Sequence, residues 1–311
     1  MKQIISGAIL AAAMTVQASA AERQTFVYDI AGTDTLCVDL YRGESMPANA
    51  PAVIFAFGGG FTHGSRDDVR YQPMFNFLAD NGVAVVSADY RTMLAKANPA
   101  DLADVEDFAE ALSGAIQIAV LDFTRATAFT LSKADDWGVD TSRIFAAGSS
   151  AGAITVLQTA YESANRNAAV GALPQNFAYA GVISMAGAVL SDGTPRWRST
   201  PAPMMLFHGD ADSTVPFDRA TVGSFGLFGS KSIAESLMSE QYPCTFWKIC
   251  GADHSVAISP MDNHCGAILD FIRAVCRNRA TITTVEERQP NQKPSKTDFT
   301  LGDYIRSNLG N

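Results

Sequence analysis

The sequence predicts an α/β domain built on a mostly parallel sheet of about eight strands, and three observations point to it. Short apolar runs alternate with longer amphipathic stretches, the pattern of buried strands joined by crossover helices. The connections between them are short, which leaves no space for a separate lid domain. Hydrophobic residues make up 47% and charged residues 18% of the 311-residue chain. That is enough to bury a large core, and it excludes a long disordered chain, a collagen and a small disulfide scaffold.

The elements follow in order. Met1-Lys2 gives a short positive start, Ile4 to Val16 is apolar and alanine-rich, and Ala18-Ser19-Ala20 has the small-x-small pattern of a signal-peptidase site. The apolar run is too short to span ~30 Å of hydrocarbon comfortably. Residues 1–20 are therefore expected to be an export signal, leaving a periplasmic or secreted protein with no membrane partner after cleavage. Thr25–Ile30 and Leu36–Tyr41 flank the turn Ala31-Gly32-Thr33-Asp34 and read as a hairpin. Val53–Phe57, Val83–Ser87, Ile144–Ala147, Val182–Met185, Met204–His208 and Thr245–Ile249 are short apolar runs suited to buried strands. Tyr71–Ala79, Leu102–Thr130, Ala151–Ala164, Ile233–Gln241 and Cys265–Arg277 suit helices, with Asp101 and Asn263 as N-caps of the second and last. Ala186–Ala202 and Asp210–Lys231 have room for irregular structure. The domain is expected over 21–280, and 281–311 reads as a polar tail, mobile at first, which Phe299, Leu301, Tyr304 and Ile305 could dock back onto the body.

The formal charge is −9, and −10 without the leader, whose one charge is Lys2. An acidic surface repels phosphate backbones and anionic membranes, so nucleic acid is not an expected partner. Nothing in the sequence bears on the oligomeric state. In an exported chain the five cysteines can form disulfides. Along a strand Cys244 and Cys250 stand about 20 Å apart, and along a helix Cys265 and Cys276 about 16 Å. Neither pair meets the ~5.5 Å Cα separation of a disulfide. Cys250–Cys265 with Cys244–Cys276, or the crossed alternative, remain, with Cys37 unpaired. A zinc site of Cys250, His254, His264 and Cys265 matches no familiar ligand spacing, so no metal is expected.

The chemistry concentrates in three segments. Gly148-Ser149-Ser150-Ala151-Gly152 is a Gly-x-Ser-x-Gly between an apolar strand and a helix. A serine on such a bend has a strained backbone and an exposed hydroxyl, and its neighbours two residues away must be tiny. Ser150 fits that position and Ser149 fails the register. After another strand, Phe57-Gly58-Gly59-Gly60-Phe61 lets backbone N–H groups approach a ligand. With no Lys-Ser/Thr following and no Gly-x-Gly-x-x-Gly spacing, an oxyanion hole is a better reading than a phosphate loop. Two of its donors, with that of Ala151, would hold a tetrahedral oxygen. A serine needs a base and an acid to orient that base. Of four histidines, His254 follows the last strand on a turn and is the chosen base. His208 ends a buried strand and reads as structural, His63 as a loop residue near the pocket, and His264 as a surface residue. Asp212 lies well out on the loop after the preceding strand, Asp210 is closer in and could hold the turn, and Asp253 projects away from its neighbour His254.

These residues make the chain resemble an α/β-hydrolase of the carboxylesterase type, near the bacterial esterase/lipase branch with hormone-sensitive-lipase-like and feruloyl-esterase-like members. Phe57-Gly58-Gly59-Gly60, Asp89-Tyr90-Arg91, Gly148-Ser149-Ser150-Ala151-Gly152, His208-Gly209-Asp210-Ala211-Asp212 with Val215-Pro216, and His254 carry the resemblance over about Phe26 to Arg277. It implies a twisted sheet with helices on both faces, Ser150 as nucleophile, His254 as base, Asp212 as orienting acid, and oxyanion donors from Gly59, Gly60 and Ala151. The chain order serine, acid, histidine agrees. One departure stands out: the family usually begins its glycine motif with histidine, and Phe57 cannot make the hydrogen bonds that would pin the loop.

The resemblance implies a serine carboxylic ester hydrolase that works through an acyl-enzyme and needs no cofactor. Acetylated or feruloylated carbohydrate esters are the expected substrate class, on family analogy. Phe61 and Trp197, with Phe225 and Phe228, are expected to offer an apolar wall to the substrate. Two other readings compete. A serine peptidase of the prolyl-oligopeptidase type would carry a gating domain for which 291 residues leave no room. A binding protein on an inactive hydrolase fold would usually lack the serine or the histidine.

Overall fold

The computed structural model describes residues 22–44, 46–97, 104–165 and 170–309. The expected leader lies outside these residues. Among them twelve strands occur: β1 (Glu22–Ala31), β2 (Asp34–Arg42), β3 (Ala50–Ala56), β4 (Ala84–Ala88), β5 (Val139–Ser149), β6 (Gly181–Met185), β7 (Ala188–Asp192), β8 (Met204–Gly209), β9 (Arg219–Val222), β10 (Phe225–Gly229), β11 (Cys244–Cys250) and β12 (Ile282–Arg288). The helices are α1 (Gln72–Asp80), α2 (Val105–Ser132), α3 (Ala134–Trp137), α4 (Ala151–Asn165), α5 (Ser230–Ser239), α6 (Pro260–Asn263), α7 (Cys265–Cys276) and α8 (Leu301–Leu309).

Nine strands form the main sheet in the order β1-β2-β4-β3-β5-β6-β8-β11-β12. From β4 to β12 every pairing is parallel, and the hairpin β1–β2 joins antiparallel through β2. Strands covered on both faces must be apolar at successive positions. Val53, Ile54 and Phe55 of β3 are fully buried, as are Val182 and Ile183 of β6. One helix group, α1 with α6 and α7, packs together, and α2 packs with α4 as another. Phe145 of β5 meets Phe271 of α7 at 6.4 Å between ring centroids. No described helix is long and apolar enough to cross a membrane.

The structure departs from the sequence reading at several places. α2 begins at Val105, where the Asp104 carboxylate accepts the N–H groups of Glu106 and Asp107 at 2.9 Å each. The acidic first turn suits the helix dipole there; Asp101 and Leu102 lie outside the described residues. Asn263 falls inside the short α6, and His264 occupies the N-cap position of α7 without a side-chain cap bond. The long connections after β6 and β8 are irregular only in part. Their strands pair antiparallel as a second sheet, β7-β10-β9, with Leu227 and Val189 fully buried. Each strand is only four or five residues long, too short for periodicity to stand out.

The segment expected as a mobile tail also differs. β12 adds a ninth strand, parallel to β11 in the register Cys244↔Ile282 to Cys250↔Arg288. Its side chains are mostly exposed, so no apolar run announces it. The docking of its end is as expected: Tyr304 of α8 is 1% exposed and its ring lies 5.9 Å from that of Phe108. The expected disulfides are corrected as well: all five cysteines are free. The Cys265 thiol turns back to donate to the Met261 carbonyl at 2.8 Å, away from a partner. Burial pushes the Cys244 thiol up to about 12, so it behaves as an inert core residue.

Candidate active site

Parallel strands in an open α/β sheet end at one edge, where ligands collect in the crevices between the loops. The segments singled out by sequence leave β3, β5, β8 and β11 at that edge. β5 gives way to α4 through Ser150 alone, whose φ of 51° lies in the left-handed region. This bend is closed by the Ser150 N–H donating to the Met185 carbonyl and by its own carbonyl accepting from Ile154 N–H, both at 2.9 Å. The flanking glycines are obligatory. A Cβ on Gly148 would stand 2.3 Å from the Gly152 carbonyl oxygen, and one on Gly152 would stand 2.1 Å from that of Ala56.

The bend presents the Ser150 hydroxyl to His254. Ser150 Oγ lies 2.8 Å from His254 Nε2, and His254 Nδ1 lies 2.7 Å from Asp212 Oδ2. A carboxylate can only accept, so Nδ1 carries the proton and Nε2 is left to accept from Ser150. That is the tautomer a general base requires. His254 opens a turn of 3-10 helix, His254–Ala257, whose first N–H groups are capped by Asp253 accepting from Ser255 N–H at 3.0 Å.

Asp212 is fully buried and its carboxylate is well supplied with donors. Oδ1 accepts the N–H groups of Thr214 and Val215 at 2.7 and 3.0 Å. Oδ2 faces His254 and, at 3.3 Å, Nε2 of His208. Burial works to raise the Asp212 pKa, but the charge and hydrogen bonds of His254 and His208 outweigh it and hold the group well below the usual carboxylate range. Asp210 does not take part: its Oδ1 accepts Gly251 N–H at 2.7 Å and holds the turn. Asp253 pairs with Lys293 instead of His254.

His208 is fully buried. Its Nε2 meets two acceptors at 3.3 Å, Asp212 Oδ2 and the Val215 carbonyl, while Nδ1 sits 2.9 Å from the Ser230 hydroxyl. Nε2 therefore holds the hydrogen and steadies the acid. His208→Leu should destabilise the fold by about 1–3 kcal/mol, the cost of stripping a donor from a buried polar group, and lower kcat with it. His208→Gln, which can still donate, should recover most of both. Equal Tm and kcat for His208→Leu and wild type would make the contact incidental.

The glycine loop after β3 lies opposite. Gly59 and Gly60 have φ of 136° and 61°, and a Cβ on Gly59 would stand 2.0 Å from the His63 carbonyl oxygen. The Gly58 N–H is already given to the Tyr71 hydroxyl at 2.9 Å, which leaves the next two amides as the ones to meet an oxyanion. Ala151 is buried at 1% exposure. Its amide is the first of α4, which has no partner four residues back within the helix. Phe57 finds a substitute for the histidine hydrogen bonds. Its ring stacks on Tyr90 at 4.3 Å, and the Tyr90 hydroxyl donates to the Phe57 carbonyl at 2.7 Å. The neighbouring Arg91 grips the buried Asp122 with two hydrogen bonds of 2.8 and 2.7 Å. The Asp89-Tyr90-Arg91 run thus anchors the glycine loop.

These groups face a cleft of about 430 Å³ lined by Gly58, Gly59, Gly60, His63, Arg70, Tyr71, Ser149, Ser150, Thr214, His254, Ser255, Ala257, Ile258 and Ser307. Two expected substrate contacts are corrected, since the lining includes neither Phe61 nor Trp197. Phe61 is fully buried with its edge toward Tyr90 at 6.2 Å. Trp197 packs edge-on against Tyr161 at 5.5 Å and donates to Ser236 at 3.2 Å. Phe228 is buried and Phe225 lies in another groove, beside α2. The sequence reading missed Arg70, Tyr71, Thr214, Ser255, Ala257, Ile258 and Ser307. Adjacency to Asp212 and His254 could have pointed to Thr214 and Ser255; nothing marks Tyr71 or Ser307. The four residues of the disfavoured zinc set are not gathered together. His264 pairs with Glu287 at 2.8 Å, His254 with Ser150 and Asp212, and no described group of three or more His, Cys, Asp or Glu could hold a metal.

Comparison with known proteins bears on the fold. The BD-FAE family model matches residues 38–113, which includes the glycine loop and the Asp89-Tyr90-Arg91 run. Among curated proteins no match is found. Similar solved structures include an esterase of the planctomycete Thermogutta terrifontis with propionate bound, at 19% identity and a TM-score of 0.59, covering 90% of this chain and 98% of that one. Its native form matches at 20% and 0.58, covering 85% and 95%. A form of esterase 2 from that organism phosphonylated by cyclosarin matches at 21% and 0.57, covering 84% and 95%. The chain shares the fold of these esterases.

Proposed function

We propose that this protein is an exported serine carboxylic ester hydrolase, with Ser150 as nucleophile, His254 as general base and Asp212 as the acid that orients it. The observation that carries this reading is the unbroken relay Ser150 Oγ to His254 Nε2 and His254 Nδ1 to Asp212 Oδ2, at 2.8 and 2.7 Å. Ser150 Oγ attacks the ester carbonyl carbon while its proton moves to His254 Nε2. The oxyanion is met by the amides of Gly59, Gly60 and Ala151. His254 then gives the proton to the departing alcohol oxygen, leaving an acyl-enzyme. Water attacks that ester with His254 again as base, the acid leaves, and Ser150 regains its proton.

The like-folded esterase that carries propionate in one structure and a cyclosarin-derived phosphonyl group in another supports both the reaction class and small esters as substrates. Acetylated or feruloylated carbohydrate esters are the favoured natural class, by family analogy. Export rests on the pattern of residues 1–20.

A fluorophosphonate probe tests the reading: it should add its phosphonyl mass to a peptide containing Ser150, and block hydrolysis of p-nitrophenyl acetate. Absence of both would end the esterase assignment. The pH dependence has a definite sign. Asp212 is held below the usual range and stays ionised, so acidification acts by protonating the base. The rate should fall as the solution is acidified from about pH 8 to 5, because a protonated imidazole cannot take the Ser150 proton. A flat profile across it would count against His254.

A further inference from the structure

We infer that the C-terminal segment from Gln289 to Ser307 belongs to the active site, and that α8 is a wall of the cleft with Ser307 as a residue that sets which esters fit. The inference rests on the acyl-transfer reading of Ser150 and extends it to specificity.

The path of the segment is the first observation. After β12 the chain turns back across the loops that carry the acid and the base. Gln289 N–H donates to the Cys250 carbonyl at 3.2 Å, Lys293 N–H to that of Gly251 at 2.9 Å, and Lys296 N–H to that of Asp210 at 2.8 Å. Gly251 has a φ of 74°, and a Cβ there would stand 2.6 Å from Gln292 Cα. The Lys293 ammonium pairs with Asp253, the residue that caps the turn bearing His254. The segment is therefore fastened on both sides of the Asp212–His254 contact.

The second observation is how α8 is seated. Thr300 and Asp303 form a reciprocal capping box, with Thr300 N–H donating to Asp303 Oδ2 at 2.8 Å and Asp303 N–H to Thr300 Oγ1 at 3.1 Å. Leu301 and Tyr304 are 6% and 1% exposed, and α8 lies against α2 and β9. The i+3 step from Tyr304 brings Ser307 to the same side of the helix one turn later. There it lines the cleft with Ser150, His254 and the oxyanion glycines. A small hydroxyl at this point leaves the cleft wide; a large side chain would narrow it.

The test uses full-length protein and two series of p-nitrophenyl and alkyl esters, one graded by acyl size and one by alcohol size. Ser307→Trp should lower kcat/KM for the bulky esters relative to the acetate by about tenfold or more, mainly through KM, as expected for a steric change at a binding wall. Tyr304→Ala, which removes the anchor of α8, should shift the same ratio in the opposite direction. Glu240→Ala, on an exposed residue at the end of α5, should leave it as in wild type. If Tyr304→Ala does not fold, Ser307→Trp alone decides. Size ratios within about twofold of wild type for Ser307→Trp in both series would overturn the wall. Fluorophosphonate labelling at Ser150 separates the two failures, since it persists if only the wall is wrong and is missing if the esterase reading is.

Discussion

Ser150→Ala lowers kcat for a simple ester by on the order of 10⁵- to 10⁶-fold, the loss typical of removing the nucleophile from a serine–histidine–acid site. The expectation follows from how specialised the position is. Ser150 Oγ is the hydroxyl 2.8 Å from His254 Nε2, whereas the hydroxyl of the adjacent Ser149 donates to the Ala257 carbonyl at 2.8 Å and has no base. A residual rate above water should survive, because the amides of the oxyanion loop are backbone groups untouched by the change. Adding His254→Ala to Ser150→Ala should then cost almost nothing more, since a base with no nucleophile to activate does no chemistry. Thermal stability should stay close to wild type, as Ser150 is a small side chain at the cleft surface. Comparable turnover in Ser150→Ala and wild type would require another nucleophile and remove the basis of the proposed mechanism.

How much of this was legible in the sequence varies with the physical signal available. The buried parallel strands were readable because covering both faces forces runs such as Val53–Phe55, and β3, β4, β6, β8 and β11 lie within a few residues of their expected places. The bend at Ser150 was readable because its two glycines answer a steric demand that few other residues meet. β7, β9 and β10 were not, as strands of four or five residues carry too little alternation. β12 was hidden for another reason. It is an edge strand with Glu286, Glu287 and Arg288 in its sequence, and its pairing with β11 is a matter of backbone hydrogen bonds that side chains do not advertise. The same holds for Ser307, whose place in the cleft depends on where a polar segment folds back. Phe61 and Trp197 show the opposite error: aromatic residues near a motif signal burial more often than contact with a ligand.

Gly152→Ala should be severely damaging for so small a change, and it couples the fold to the site. Its Cβ would stand 2.1 Å from the Ala56 carbonyl oxygen and 2.4 Å from that of Phe57, so either α4 or the end of β3 must move. Such overpacking costs about 3 kcal/mol, a fall in Tm of roughly 6–12 °C for a domain of this size. The displaced atoms immediately precede Gly58, Gly59 and Gly60, while Gly152 follows the nucleophile by two residues. Nucleophile and oxyanion donors would therefore be pushed apart along the line on which they must cooperate, and an error near 1 Å in such geometry can cost about a hundredfold in rate. Measured well below its Tm, Gly152→Ala should bind substrate but lose kcat, and it should react more slowly with a fluorophosphonate, which needs the same donors. A variant with unchanged Tm and labelling rate would show that β3 and α4 do not meet as closely as the glycine implies.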